Sequence, residues 1–154
     1  MSVFPNTSQK NYLTGQAALN VPSENGHFAD WHFTEVFLSG HGKLPIAGQD
    51  FPDTSHLLGS YGVRECAGVL RRYGLAIKAE QKVYAANHVR AALDLVIAGI
   101  FKGQVPSHIT LDDTLDAVED LIAFGEQISI LKQRITDRFP LSLSLLEQWE
   151  AQQH

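Results

Sequence analysis

This chain has one cysteine, Cys66, so it has no internal disulfide, which fits a reducing compartment. No apolar run approaches the ~20 residues of a membrane-spanning helix. The longest apolar region, Ala91 to Phe101, is broken by Asp94 and Gly99. Met1 to Gly15 lacks a basic stretch leading into an apolar one, the mark of a secretory signal. There is no Gly-x-Ser-x-Gly elbow and no phosphate-cradling glycine loop. These absences predict a soluble cytoplasmic protein with no membrane contact and no cofactor, and they weaken an enzymatic reading. One further absence is local: from Gln104 to Ile130 there is no Lys or Arg.

That stretch carries six carboxylates, Asp112, Asp113, Asp116, Glu119, Asp120 and Glu126. From Ser60 to Arg90 the balance is reversed, with six basic residues (Arg64, Arg71, Arg72, Lys78, Lys82, Arg90) against Glu65 and Glu80. Sorted charge of this kind bears on partners and association, not on fold. The net charge of −5 and pI near 5.7 argue against a general nucleic-acid coat protein. The remaining composition is ordinary for a globular protein, 44% apolar and 19% charged. A length of 154 residues fits one domain with one sizeable core.

Residues 1–26 read as a polar arm without periodicity, ordered only by lying on the rest. Residues 28–38 are rich in aromatics (Phe28, Trp31, Phe33, Phe37), suit a strand or a helical face equally, and are expected to pack onto the helices. Residues 39–55, with Gly40, Gly42, Pro45, Gly48 and Pro52, read as a long loop. Helical spacing then begins. Val63, Cys66, Ala67, Leu70 and Tyr73 form one stripe ended by Gly74. A second stripe runs through residues 82–102, on Val83, Ala86, Leu93, Val96, Ile97 and Ile100.

The third helix is expected over residues 110–135. Thr110 and Asp113 resemble a capping box, and Leu111, Leu115, Val118 and Ile122 repeat at helical spacing. Phe124, Ile128, Leu131 and Ile135 continue the stripe after an offset of two. Such a helix would be ~40 Å long, with Phe139-Pro140 ending it. A last short helix is expected from Leu143 to Ala151, with Leu143, Leu146 and Trp149 inward. The fold class is therefore mainly α: a single-domain bundle of three main helices and a short C-terminal one, residues 56–154. Residues 1–55 form an irregular arm and cap with room for a small β element.

Three candidate sites follow. Asp112, Asp116, Glu119 and Asp120 make an acidic face suited to a basic protein partner, where opposite potential speeds association. A non-enzymatic docking module of antitoxin, immunity or regulatory type belongs here, since covering a basic nuclease needs carboxylates more than catalytic groups. Within it, Asp112-Asp113-x-x-Asp116 has the spacing that holds Mg²⁺ in prenyl-diphosphate enzymes. No second aspartate cluster answers it, and the chain is too short for that fold.

The alternative site is basic. Arg64, Arg71, Arg72, Lys82 and Arg90 suit phosphate oxygens, and two helices joined by a short turn permit a helix-turn-helix reading with residues 82–90 opening the recognition helix. The third reading is a metal-dependent enzyme using His27, Asp30 and His32, which bring two imidazoles and a carboxylate within six residues. Its spacing fits no standard local metal pattern: on a helix the two rings would stand about 140° apart. A homodimer through the 110–135 helix is left open, although the stripe rotates too soon for a sustained coiled coil.

Overall fold

Helix α4 (His88–Phe101) is buried on nearly every side, with only Leu95 and Phe101 outside its interior set. A helix apolar all round belongs in the middle of a fold, and the other elements are arranged about this one. The computed structural model describes residues 4–39, 44–115, 117–138 and 140–153, the side chains of 136–138 and 140–142 excepted. Their order is α1 (Gly15–Leu19), a π-helical turn (Thr34–Leu38), α2 (Ser55–Leu58), β1 (Val63–Glu65), α3 (Ala67–Arg72), β2 (Tyr84–Ala86), α4, α5 (Leu111–Thr114), α6 (Val118–Arg138) and α7 (Pro140–Ala151). The described residues are thus mainly α, with two short antiparallel strands.

On one side of α4, its residues Val89, Leu93, Val96, Ile97 and Ile100 pack with Leu57 of α2, with Phe124, Ile128, Leu131 and Ile135 of α6, and with Leu146 and Trp149 of α7. Trp149 is fully buried and its indole N–H donates to the carbonyl of Ile109 at 2.8 Å. Leu146 and Trp149 face inward as their spacing predicts, and Pro140 opens α7 where its missing N–H costs nothing. Gly99 allows α4 to approach the next segment: a Cβ there would stand 2.6 Å from Cβ of Pro106.

The opposite side is built from the N-terminal chain. Tyr12, Leu13, Ala17, Ala18, Leu19 and Val21 are all buried. Leu13 bridges to Ala85 and Ile46, donating to the carbonyl of Tyr84 at 2.9 Å and accepting from the Ala86 N–H at 2.8 Å. The segment read as a polar arm is therefore interior in its middle. The aromatic run divides: Phe33 and Phe37 pack against this half of the core, whereas Trp31 is 78% exposed and does not.

Three helical expectations are corrected. The stripe from Val63 begins as β1, which pairs with β2 in the register Val63↔Ala86, Arg64↔Ala85, Glu65↔Tyr84. Helix α3 starts only at Ala67, where the Glu65 carboxylate accepts the N–H groups of both Ala67 and Val83. The expected 82–102 helix likewise gives its first residues to β2, and Asn87 caps what remains by accepting from the Arg90 N–H. A strand therefore lies between α3 and α4, and the helix-turn-helix arrangement is absent there. The paired strands fall in this stretch, and the described part of residues 1–55 adds isolated bridges at Leu13, Ile46, Ala47 and Phe51; strand pairing uses partners that helical spacing in one segment does not reveal.

The 110–135 helix is also two helices. Leu115 is extended (φ −134°, ψ 124°) and separates α5 from α6. The two-residue offset in the apolar stripe falls inside α6, between exposed Ile122 and buried Phe124, and α6 alone is about 31 Å long. The Thr110 hydroxyl donates to the Asp113 carboxylate, but that side chain makes no cap to the backbone.

Among the described residues, the interior holds one full charge pair. Arg90 Nε donates to Asp94 Oδ1 at 3.1 Å, with both side chains fully buried. Arg90 Nη1 donates to the carbonyls of Gly59 and Tyr61, and Nη2 to the Thr54 hydroxyl. Asp94 accepts further from the hydroxyls of Tyr12, Thr14 and Thr54 at 2.6–2.7 Å. The guanidinium also lies 5.1 Å from the Tyr12 ring centroid. Burial, then the negative Asp94, push the Tyr12 phenol well above its ordinary value, so it stays a donor. Gly62, at φ +73°, carries the turn past this pair; a Cβ there would meet Asn87 Oδ1 at 2.6 Å and Arg90 Cβ at 2.7 Å.

Removing one member of such a pair leaves a buried charge uncompensated, at about 3–5 kcal/mol. Asp94→Asn is expected to lose about that much in urea unfolding followed by circular dichroism. A loss under about 1 kcal/mol would show that the pair is dispensable.

Candidate functional site

Three segments far apart in sequence bring two imidazoles and a carboxylate together. His88 is the first residue of α4 and is buried. Its Nε2 lies 2.7 Å from the carbonyl of Val21, and a carbonyl only accepts, so Nε2 carries the proton and Nδ1 the lone pair. Desolvation lowers the His88 pKa, overcoming the opposite pull of the Val21 bond and of Asp120. His27 follows the Ser23–Gly26 turn, its N–H donating to Ser23 Oγ at 3.0 Å and its carbonyl accepting from the Ser23 N–H at 2.8 Å. Its ring meets that of His88 edge-on at 5.9 Å. Asp120 is in the first turn of α6. One potential ligand atom from each of His27, His88 and Asp120 lies within 4.8 Å of the other two.

Only His27 of the local histidine candidates takes part. Asp30 and His32 pair with each other, His32 Nδ1 standing 2.9 Å from Asp30 Oδ1. Asp30 also accepts from Gln16 Nε2, Asn20 Nδ2 and the Trp31 N–H, which fills its lone pairs with protein donors. His27, Asp30 and His32 therefore do not form a common site. Sequence reasoning did not join His88 to His27 and read Asp120 as part of the acidic face; they sit 61 and 93 residues beyond His27, a separation that leaves no local signal.

The basic candidates are dispersed. Arg90 is interior and committed to Asp94, so its place at a phosphate-binding surface is corrected: nearly all of α4 is buried, Arg90 included. Arg71 wraps onto the carbonyls of Ile77, Lys78 and Gln81, and Arg64 onto that of Pro22. Arg72 and Lys82 are exposed.

The acidic candidates separate too. Asp112 and Glu119 are exposed, Asp120 is half-buried beside the histidines, and Asp116 lies outside the described residues. Val118 is 65% and Ile122 59% exposed, one turn apart on α6, with Leu121 beside them. Glu119 and Glu126, seven residues apart, line the same side of the helix next to that apolar strip.

Two predictions concern groups next to these sites. Burial pushes the Cys66 thiol up to about 12, so it is a core residue and not a nucleophile. An alkylating thiol reagent at pH 8 is expected to leave it unmodified in the native protein and to label it fully in denaturant; rapid native labelling would contradict this. Asp30 is lifted by burial, but its hydrogen bonds from Gln16, His32, the Trp31 N–H and Asn20 outweigh that and hold it below its ordinary value. A carboxylate with a lowered folded pKa stabilises above its unfolded value and loses that contribution as pH falls through the folded one. Stability between pH 5 and 3 should therefore fall less steeply in Asp30→Asn than in the native chain, as read by thermal unfolding.

No family model, no curated protein and no solved structure matches this chain.

Proposed function

We propose that this protein is a non-enzymatic docking module that binds a basic protein partner through the outer face of α5 and the first half of α6. The observation that carries the reading is the exposed apolar strip of Val118, Leu121 and Ile122, set in a stretch whose charged residues are all acidic. Exposed apolar side chains grouped together, next to charged ones, have the composition of a protein interface. The acids Asp112, Asp113, Glu119 and Glu126 favour a positive partner and speed its encounter.

A second copy of this chain fits the face less well. Around a two-fold axis the same patch meets itself, which would set carboxylates against carboxylates. Nucleic acid is disfavoured for the same reason at this face. At the basic stretch, three of the five candidate residues spend their guanidinium groups on the protein's own carbonyls or on Asp94. Antitoxin or immunity roles, in which a basic enzyme is covered, are the members of this class that need carboxylates and apolar anchors without catalytic groups.

The test is capture of a partner from the native cell by full-length protein at low and high salt, with two variants beside it. The native chain is expected to retain one stoichiometric basic protein whose binding weakens as salt rises. Asp112→Lys with Glu119→Lys should weaken it at least tenfold, and so should Ile122→Ser, with helicity unchanged. Equal retention by all three proteins would show that the face is only solvated.

A further inference from the structure

We infer that His27, His88 and Asp120 form a binding site for one divalent transition-metal ion of the zinc class. It is the one cluster of three such groups among the described residues, and its donors suit that ion. Two imidazole nitrogens and one carboxylate oxygen are the ligands zinc takes, whereas calcium and magnesium call for oxygen alone. The single negative charge offsets half of the ion's charge, so the half-buried site need not shelter an unbalanced dication.

The surroundings of His88 support the assignment independently of the cluster's spacing. A metal-bound histidine donates its second ring N–H to a carbonyl or carboxylate, which fixes the tautomer and aims the ligand nitrogen. His88 makes that bond to Val21 at 2.7 Å. His27 is held by backbone bonds to the Ser23 turn, and Asp120 by the first turn of α6. Tetrahedral bonds of about 2.0–2.2 Å place ligand atoms about 3.4 Å apart. From the observed separations of up to 4.8 Å the groups need to close by little more than 1 Å, within the reach of side-chain rotation at His27 and Asp120. Three protein ligands leave a fourth position for water or an added ligand.

The ion would tie together the loop after α1, the start of α4 and the start of α6. The alternative is a plain contact of two rings with a carboxylate, and metal uptake separates the two. Full-length protein stripped by a chelator would be titrated with Zn²⁺ by calorimetry and with Co²⁺ by visible absorption. The expected result is one equivalent of each, with the intense Co²⁺ bands of a low-coordinate N/O site.

His27→Gln and Asp120→Asn, both at half-buried positions, should each weaken Zn²⁺ binding at least tenfold while circular dichroism stays native; either folded variant decides the matter. His32→Gln, in the neighbouring pair, should bind as the native protein does. The inference is overturned by no saturable uptake in the native chain, by uptake unchanged in His27→Gln or Asp120→Asn, or by its loss in His32→Gln.

Discussion

The Arg90–Asp94 pair is the constraint around which this fold is organised. Two buried charges one helical turn apart on one helix cost several kcal/mol each to desolvate. They are tolerated because three neighbouring segments turn polar groups toward them. Tyr12 and Thr14 come from the N-terminal chain, Thr54 from the start of α2, and the carbonyls of Gly59 and Tyr61 from the loop that follows. The pair thus ties the segments of Tyr12–Thr14, Thr54 and Gly59–Tyr61 to α4. A hydrophobic substitute could fill the space but would not specify those partners, so the network's contribution is to arrangement more than to net stability.

This arrangement also produces the candidate metal site. Tyr12, Thr14 and Leu13 lock the chain that leads into α1, and Val21, just beyond α1, presents its carbonyl to His88. The same helix therefore carries Arg90 and Asp94 on its way through the core and His88 at its entrance. On its far side α6 packs against α4 by Phe124, Ile128, Leu131 and Ile135, which brings Asp120 to that entrance. Core packing on one side and a buried ion pair on the other thus converge on one spot. The exposed strip of α6 is the complement of this packing. With its buried positions fixed by α4, the residues Val118 and Ile122 are turned outward whatever their hydropathy.

Chain-local signals were legible where one segment's own spacing decided the outcome. The run Phe124, Ile128, Leu131, Ile135 lies on the core face of α6, and Leu146 and Trp149 lie on that of α7, as helical periodicity predicts. The two-residue offset after Ile122 rotates the stripe within α6, from exposed Val118 and Ile122 to buried Phe124, Ile128, Leu131 and Ile135, whereas the break at Leu115 leaves no mark in that spacing. At Val63–Glu65 and Tyr84–Ala86 the same kind of spacing misled. Short apolar runs suit either structure, and what settled these was pairing across some twenty residues with Leu13 alongside.

By itself the sequence determined a mainly helical chain, with no helix among the described residues long and apolar enough to cross a membrane, an acidic stretch at residues 104–130, and the inward faces of its last two helices. Each of these depends on residue types within a few turns of one another. Only the tertiary structure decided that Arg90 faces a buried aspartate instead of solvent. Only it decided that Asp30 and His32 satisfy each other, and that His27 finds its partners at His88 and Asp120. Those outcomes depend on which segments meet across α4, and contact between distant segments is set by how the whole core closes.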